Sequence, residues 1–199
     1  MESLIASLKG QFPNWLVNHG FKGSWLHDGI IYSAFVEPHQ AKRGDVVSLQ
    51  FVLQSCYVGP VEVIVQASNH SAIKNQKIGA ISAQLGPLEV AKMTIQVEVP
   101  PTTGAGKKQI DFHVFCKPFK DVKKITELDV KEGSEDFGNV VRSAKKLLGG
   151  WMGTGKGLKS DSGAMWMKVY YEVLNETASE ARKAQGPTLT TIWPITSQR

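Results

Sequence analysis

Cysteine is scarce in this chain, and long apolar runs are missing from it. Cys56 and Cys116 are the only cysteines among 199 residues. Neither lies in a C-x-x-C pair, which excludes the common zinc and dithiol redox motifs. No stretch of about 18 apolar residues occurs, so the sequence predicts no membrane-spanning helix. The start of the chain lacks the basic residues and apolar block of a secretory signal, which favours a cytoplasmic protein.

Motifs for catalysis are equally scarce. The five histidines show no metal-ligand spacing such as H-E-x-x-H, and no G-x-S-x-G elbow occurs. The segment Gly150–Gly157 satisfies G-x-x-x-x-G-K, but glycine stands where a phosphate-binding loop needs Ser or Thr, and a predicted helix precedes it. We therefore expect no metal, no cofactor and no catalytic residue. The sequence leans away from an enzyme, although a site assembled from distant residues stays open.

Four segments in the middle of the chain alternate apolar and polar residues with a period of two. They are Val47–Leu53, Val61–Ala67, Met93–Val99 and Ile110–Cys116. Successive side chains of a strand point to opposite faces, so each segment predicts a strand with one buried and one solvated face. A further strand is expected at Ile30–Val36, and an edge strand after the polar stretch Ser68–Gly79. The pattern is typical of antiparallel sheets packed over a shared core.

A resemblance supports this interpretation. The block Leu85–Glu89, the alternating strand after it and the stop at Val99-Pro100-Pro101 are similar to the penultimate hairpin of immunoglobulin-like and fibronectin-III-like sandwiches. Because this is a superfold with many functions, it assigns no residue a role. We expect a mainly β protein: an antiparallel immunoglobulin-like β-sandwich with a helix-containing C-terminal extension. The expected parts are an N-terminal arm over 1–27, the sandwich over 28–118 and an α+β extension packed on it over 119–199.

The spacing of the two cysteines is similar to that of the inter-sheet bridge in immunoglobulin domains. The strand register argues against a bridge, because Cys116 shares the face of the apolar Val114, whereas Cys56 shares that of the polar Gln54. Residues 57–115 also lack the core tryptophan of such domains. The sequence favours two free thiols, and a bridge would require a β-bulge.

The last third of the chain changes pattern. A helix is expected from the N-cap Ser134, with acidic residues in its first turn, to a stop at Gly149-Gly150. A glycine-rich loop, a strand over Ala164–Leu174, a short helix from Thr177 and a last strand over Thr188–Ile195 should follow.

Positive charge is concentrated in the second half. Residues 1–100 hold seven Lys/Arg and seven Asp/Glu, whereas residues 101–199 hold sixteen and eleven. The candidate anion-binding residues are Arg142, Lys145, Lys146, Lys156 and Lys159, flanked by Trp151 and Trp166. Such a segment can hold a nucleic-acid backbone or an acidic membrane surface. The competing interpretation, which we favour, is a solvated helix face and two core tryptophans.

Together these observations favour a non-catalytic interaction module. It would bind a protein partner through an exposed sheet edge or through the loops at one end of the sandwich. The alternative is an anionic-surface binder, for nucleic acid or acidic lipid, that uses the basic segment 142–168.

Overall fold

In the computed structural model, the chain forms two five-stranded sheets. The structure describes residues 25–69, 76–129, 131, 134–154, 165–177 and 183–193. Most strands pair antiparallel and a helix lies in the C-terminal region, so the predicted mainly β class is confirmed. An immunoglobulin-like arrangement of the strands stays a prediction.

Ten strands are described. In chain order they are β1 (Trp25–His27), β2 (Ile30–Glu37), β3 (Gln40–Ala41), β4 (Val46–Ser55), β5 (Val61–Asn69), β6 (Gln76–Leu85), β7 (Val90–Glu98), β8 (Gly106–Pro118), β9 (Met165–Val173) and β10 (Thr188–Trp193). Sheet A has the order β1-β2-β4-β7-β10, and sheet B has the order β3-β9-β8-β5-β6. Only the short β3 runs parallel to its neighbour, β9, among the described pairs.

The core between the sheets consists of the apolar residues that the alternation assigned to the inner face. Phe51 of sheet A lies at its centre, with its ring stacked on Tyr32 at a centroid distance of 5.5 Å. The same ring meets Phe112 of sheet B at 5.4 Å, so aromatic contacts join the two layers.

An α-helix and a short 3-10 helix cover the outer face of sheet A. The α-helix, α1, spans Glu135–Thr154, and the 3-10 helix spans Ile125–Glu127. Ser134 begins α1 as predicted, because its Oγ accepts a hydrogen bond from the Phe137 N–H at 3.3 Å. A second apolar cluster forms beneath α1, and it contains Phe137, Val140, Val141 and Ala144 together with Ile31, Val52, Cys56 and Val90 of the outer face.

The structure corrects two expectations. The face of β4 that carries Gln50 and Gln54 is not solvated: these side chains are 8% and 0% exposed, because the outer face of sheet A is covered. The helix also does not stop at Gly149-Gly150 but continues to Thr154. Glycine inside a helix costs only about 1 kcal/mol, so a glycine pair alone does not end one.

The part of the chain after residue 118 enters both sheets. β9 lies between β3 and β8 inside sheet B, and β10 lies beside β7 at the edge of sheet A. Val169, Tyr171 and Val173 of β9 are buried in the main core. The domain boundaries stay a prediction. Of the expected arm over 1–27, residues 1–24 lie outside the described residues and Trp25–His27 form β1; the centre of the short helix expected after Thr177 also lies outside them.

Candidate functional site

Three of the five predicted basic residues lie on one element of the described structure. Arg142, Lys145 and Lys146 are exposed on α1. Arg142 Nη2 donates to Asn139 Oδ1 at 2.7 Å, and Lys145 Nζ donates to the backbone oxygen of Leu128 at 3.1 Å. Two of these three cations therefore already have partners on the protein surface.

The side chains of the remaining members of that predicted site are not among those that the structure describes. Lys156 and Lys159 lie outside the described residues. Trp151 belongs to α1 and Trp166 to β9, where its backbone pairs with His113; only the backbone positions of these two tryptophans are described. The part of the site that the structure shows is a row of three exposed cations on one helix.

A cluster of polar side chains joins three chain segments near the end of β4. The Tyr57 hydroxyl donates to the backbone oxygen of Asp28 at 2.9 Å, and Lys124 Nζ lies 2.8 Å from Asp28 Oδ1. Lys124 also pairs with Tyr57 as an isolated β-bridge and contacts its ring face. The cluster fixes residues 119–128 against the strands.

Both cysteines lie beside this cluster and are free, as the sequence predicted. Burial, with a smaller contribution from the Asp28 carboxylate, raises the pKa of the Cys116 thiol to about 12. Burial also raises the pKa of Cys56 far above its usual range. Because the thiolate is the nucleophilic form, both side chains are poor nucleophiles at neutral pH.

The described part of the chain shows neither a metal-binding cluster nor a membrane-spanning helix. Within the described ranges, no three His, Cys, Asp or Glu side chains are grouped so that they could hold a metal ion. In the same part of the chain, no helix has both the length and the apolar character needed to cross a bilayer.

The outer edge of sheet B is formed by β6. One side of this strand pairs with β5, and no described strand pairs with the other side. A bulge lies at Ile78; beyond it, Gly79–Leu85 pairs regularly and contains no charged residue and no proline. Natural proteins usually protect an edge strand with lysine, proline, bulges or short length. Gly79–Leu85 lacks these features, and within the described ranges its outer row of backbone donors and acceptors is not paired with a strand.

The neighbouring edge of sheet A extends past β6. β6 packs opposite β7, since a Cβ built on Gly79 would lie 3.1 Å from Ile95 Cγ2. β10 adds one more strand beyond β7. Leu189 of β10 pairs with Met93 and so points to the same side, towards sheet B. Met93 is 1% exposed and Leu189 is 40% exposed, because no described strand of sheet B lies opposite β10.

We call Gly79–Leu85 together with the Leu189 side chain the β6 edge site. The sequence predicted an edge strand after a loop over Ser68–Gly79. The edge strand is confirmed, but the loop bounds were wrong, because β5 continues to Asn69 and β6 already begins at Gln76. The sequence did not predict that β10 would lie next to this edge, because alternation assigns residues to faces and does not assign neighbours to strands. The one available signal was Leu189 itself, a large apolar residue among threonines.

The sequence also missed a buried polar row on the outer face of sheet B. Asp111 is fully buried there, and its Oδ1 accepts a hydrogen bond from Gln109 Nε2 at 2.6 Å. Ser68, directly opposite on β5, is also buried. The sequence could not predict this burial, because polar residues on an alternating strand are expected on its solvated face.

Comparison with known proteins identifies no family. No family model matches the chain, and no curated protein matches it. Among solved structures, it is similar to the alkylpurine DNA glycosylase AlkC of Pseudomonas fluorescens bound to DNA containing an abasic site analog, at 18% identity and a TM-score of 0.32 over 57% of this chain and 32% of that chain. It is also similar to the sporulation control protein Spo0M of Bacillus subtilis, at 11% identity and a TM-score of 0.27 over 48% of this chain and 44% of that chain. The chain spans less than half of either protein, and both likenesses are too distant to support a function.

Proposed function

We propose that this protein is a non-catalytic interaction module that accepts an extended segment of a partner protein at the β6 edge site. The observation that carries the proposal is the open, uncharged edge from Gly79 to Leu85. A strand added there would form main-chain hydrogen bonds with β6, the recognition mode known as β-augmentation.

The position of Leu189 supports the same proposal. A strand paired with β6 would lie opposite β10, because β6 itself lies opposite β7. It would cover the exposed Leu189 side chain and so add apolar burial to the backbone hydrogen bonds. The partner segment should therefore alternate, with apolar side chains on the face that turns towards β10 and polar side chains on the other face.

The test selects linear peptides from a random display library on the immobilised full chain and measures their affinity by fluorescence polarisation. Ala83→Lys is the blocking variant. Ala83 is half-buried and pairs with the core residue Val63, so a lysine there points inwards but can reach water around the open edge. An added strand would trap that charge, and we expect affinity to fall at least about tenfold.

Ser82→Lys is the matched control, since it adds the same charge one residue away. Ser82 is exposed and pairs with Ile64 on the outer face, where a lysine stays solvated after a strand is added. Its affinity should stay within about twofold of wild type. Two versions of a selected peptide, each methylated on one of the two alternate sets of backbone nitrogens, test the pairing. The version whose methyl groups face β6 should not bind, the other should bind as before, and neither depends on the folding of a variant. Failure to select peptides, or equal binding of both versions, would refute the proposal.

A second function has one observation in its favour: Arg142, Lys145 and Lys146 are all exposed on α1. This row could hold an anionic surface, either nucleic acid or acidic lipid. The probes are a DNA duplex and phosphatidylcholine vesicles with and without phosphatidylserine. Binding should weaken steeply with salt and be lost in the double variant Lys145→Glu, Lys146→Glu. Equal binding by this variant would exclude the row as the site.

A further inference from the structure

A second strand-accepting edge lies in sheet A, and in this structure the chain fills it with its own last strand. We infer that β10 is a displaceable occupant of the β7 edge and that an extended segment of another protein with the β10 pattern can take its place. The inference concerns a different edge from the β6 edge site and does not depend on binding there.

Among the described side chains of β10, Ile192 is the one that packs on the sandwich, against the apolar cluster beneath α1. The side chains from Thr188 to Thr191 are all exposed, and Ile192 is half-buried. No described strand pairs with the outer side of β10, and a register shift interrupts its pairing between Thr191 and Trp193. Since an element that buries little side-chain area gains little free energy from packing, β10 can leave at low cost.

β7, in contrast, is held firmly without β10. It pairs with β4 along its whole length, from Val46↔Glu98 to Gln54↔Val90. Met93 and Ile95 are buried in the core between the sheets. The departure of β10 would therefore leave the sandwich in place and open the backbone groups on the free side of β7.

Three side chains along this edge define what the occupant must offer. Glu98 Oε1 accepts the Ala184 N–H at 2.8 Å, and Gln96 Oε1 accepts the Gln185 N–H at 2.6 Å. Further along, Glu89 Oε1 accepts the Thr191 hydroxyl at 2.7 Å.

These contacts specify the chemistry of a competing segment. It must be extended, and it must present two free backbone N–H groups to the side-chain oxygens of Gln96 and Glu98. It must also carry a hydroxyl residue two positions after an apolar one, as Thr191 follows Leu189. The carboxylates at 89 and 98 would further favour a segment without acidic residues.

Covalent attachment makes β10 a built-in competitor for this edge. A tethered strand has an effective concentration in the millimolar range, so a segment from another molecule binds weakly until β10 is weakened or outcompeted. The apparent affinity for a partner is thus the intrinsic affinity multiplied by the fraction of molecules in which β10 has left the β7 edge.

The experiment uses the full chain and a fluorescent synthetic peptide of residues 183–193 as the probe. The variant Thr190→Pro, Thr191→Pro replaces two adjacent residues, and proline has no backbone N–H. Because every second N–H of a strand faces its neighbour, one of the two lost N–H groups is a donor to β7. This variant should stay folded and bind the peptide at least about tenfold more tightly than wild type. A peptide with Thr191→Val, which has no hydroxyl for Glu89, should bind more weakly.

A cross-linked variant gives the opposite result. Thr190 and Lys92 are directly paired, so Thr190→Cys with Lys92→Cys, in a Cys116→Ser background, allows a disulfide that holds β10 on β7. The oxidised form should not bind the peptide, and reduction should restore wild-type binding. Equal affinity of all forms, no binding by the proline variant, or its failure to fold would each overturn the inference. Ala83→Lys should leave this binding unchanged, which separates the result from that of the β6 edge site.

Discussion

Two glutamines on one face of β4 show how local contacts decide the cost of burial. Gln50 is 8% exposed, and its Nε2 donates to Glu37 Oε2 at 2.6 Å. Gln54 is 0% exposed, and neither its Oε1 nor its Nε2 has a hydrogen-bond partner among the described residues. A buried polar group without a partner loses its bonds to water and gains nothing in return. The sequence could not distinguish the two, because both alternate with apolar residues on the face that the pattern marked as solvated.

Gln54→Met should stabilise the protein, because methionine has a similar shape and no polar atoms to desolvate. We expect the free energy of unfolding in urea to rise by about 1–2 kcal/mol. Gln50→Met is the matched control on the same strand, and it should be neutral or destabilising because it removes a hydrogen bond that is made. Destabilisation by Gln54→Met would show that the amide has a favourable interaction in the folded state.

The thiol of Cys116 should react slowly with iodoacetamide at neutral pH. Its pKa is raised to about 12, so the folded chain holds the proton far above the ordinary value of 9.0. The thiolate fraction and the alkylation rate should therefore rise about tenfold per pH unit from pH 7 to pH 10. By the same linkage, this group's stabilising contribution is complete below pH 9 and decreases as the pH rises towards 12.

Mass spectrometry measures the labelling, with Cys116→Ser as the control. That variant retains only Cys56, which is 1% exposed and should react only through opening of the structure. Rapid labelling of Cys116 at pH 7 would contradict the raised pKa.

At the scale of single elements, sequence patterns predicted the long strands well and the short ones not at all. β2 was expected over Ile30–Val36 and spans Ile30–Glu37, since an alternating segment of that length has a clear period. β1 and β3 span three and two residues, too few for any period, and the sequence did not indicate them. They form only because neighbouring strands offer them backbone partners.

Ser134→Ala should weaken the start of α1. Its Oγ is the acceptor for the Phe137 N–H, and removing an N-cap oxygen costs about 1 kcal/mol. Ser134→Asp should keep most of that stability because aspartate is also a good N-cap. Ser143→Ala, the same change on the exposed side of the helix, should be neutral. Urea unfolding of the three variants checks the order, and an equal loss in Ser134→Ala and Ser134→Asp would rule out the cap as the cause.

At the scale of the whole molecule, the strand order is what the sequence could not supply. The sequence predicted a strand over Ala164–Leu174, close to the observed β9, but it did not identify the inner face of this strand or its place between β3 and β8. That place depends on pairing between residues far apart in the chain, such as Gly106 with Val173. The β6 edge site depends on the same information, since an edge exists only once every neighbour is known. The inner faces of the four alternating segments could thus be predicted, and the identity of the edges could not.

This strand order predicts which truncated chains fold. A chain of residues 1–177 loses β10 but keeps β9, so it should unfold cooperatively in urea and retain the near-ultraviolet circular dichroism of the full protein. A chain of residues 1–118 loses β9, and with it Tyr171 and Val173 from the core and every partner on one side of β8. It also loses α1, which leaves the apolar outer residues of sheet A in water. We expect this shorter chain to lack cooperative unfolding and to aggregate through the opened β8 edge. If residues 1–118 instead form a cooperative unit with native circular dichroism, the predicted sandwich over 28–118 is a domain in its own right, and β9 is an addition to a sheet that is stable without it.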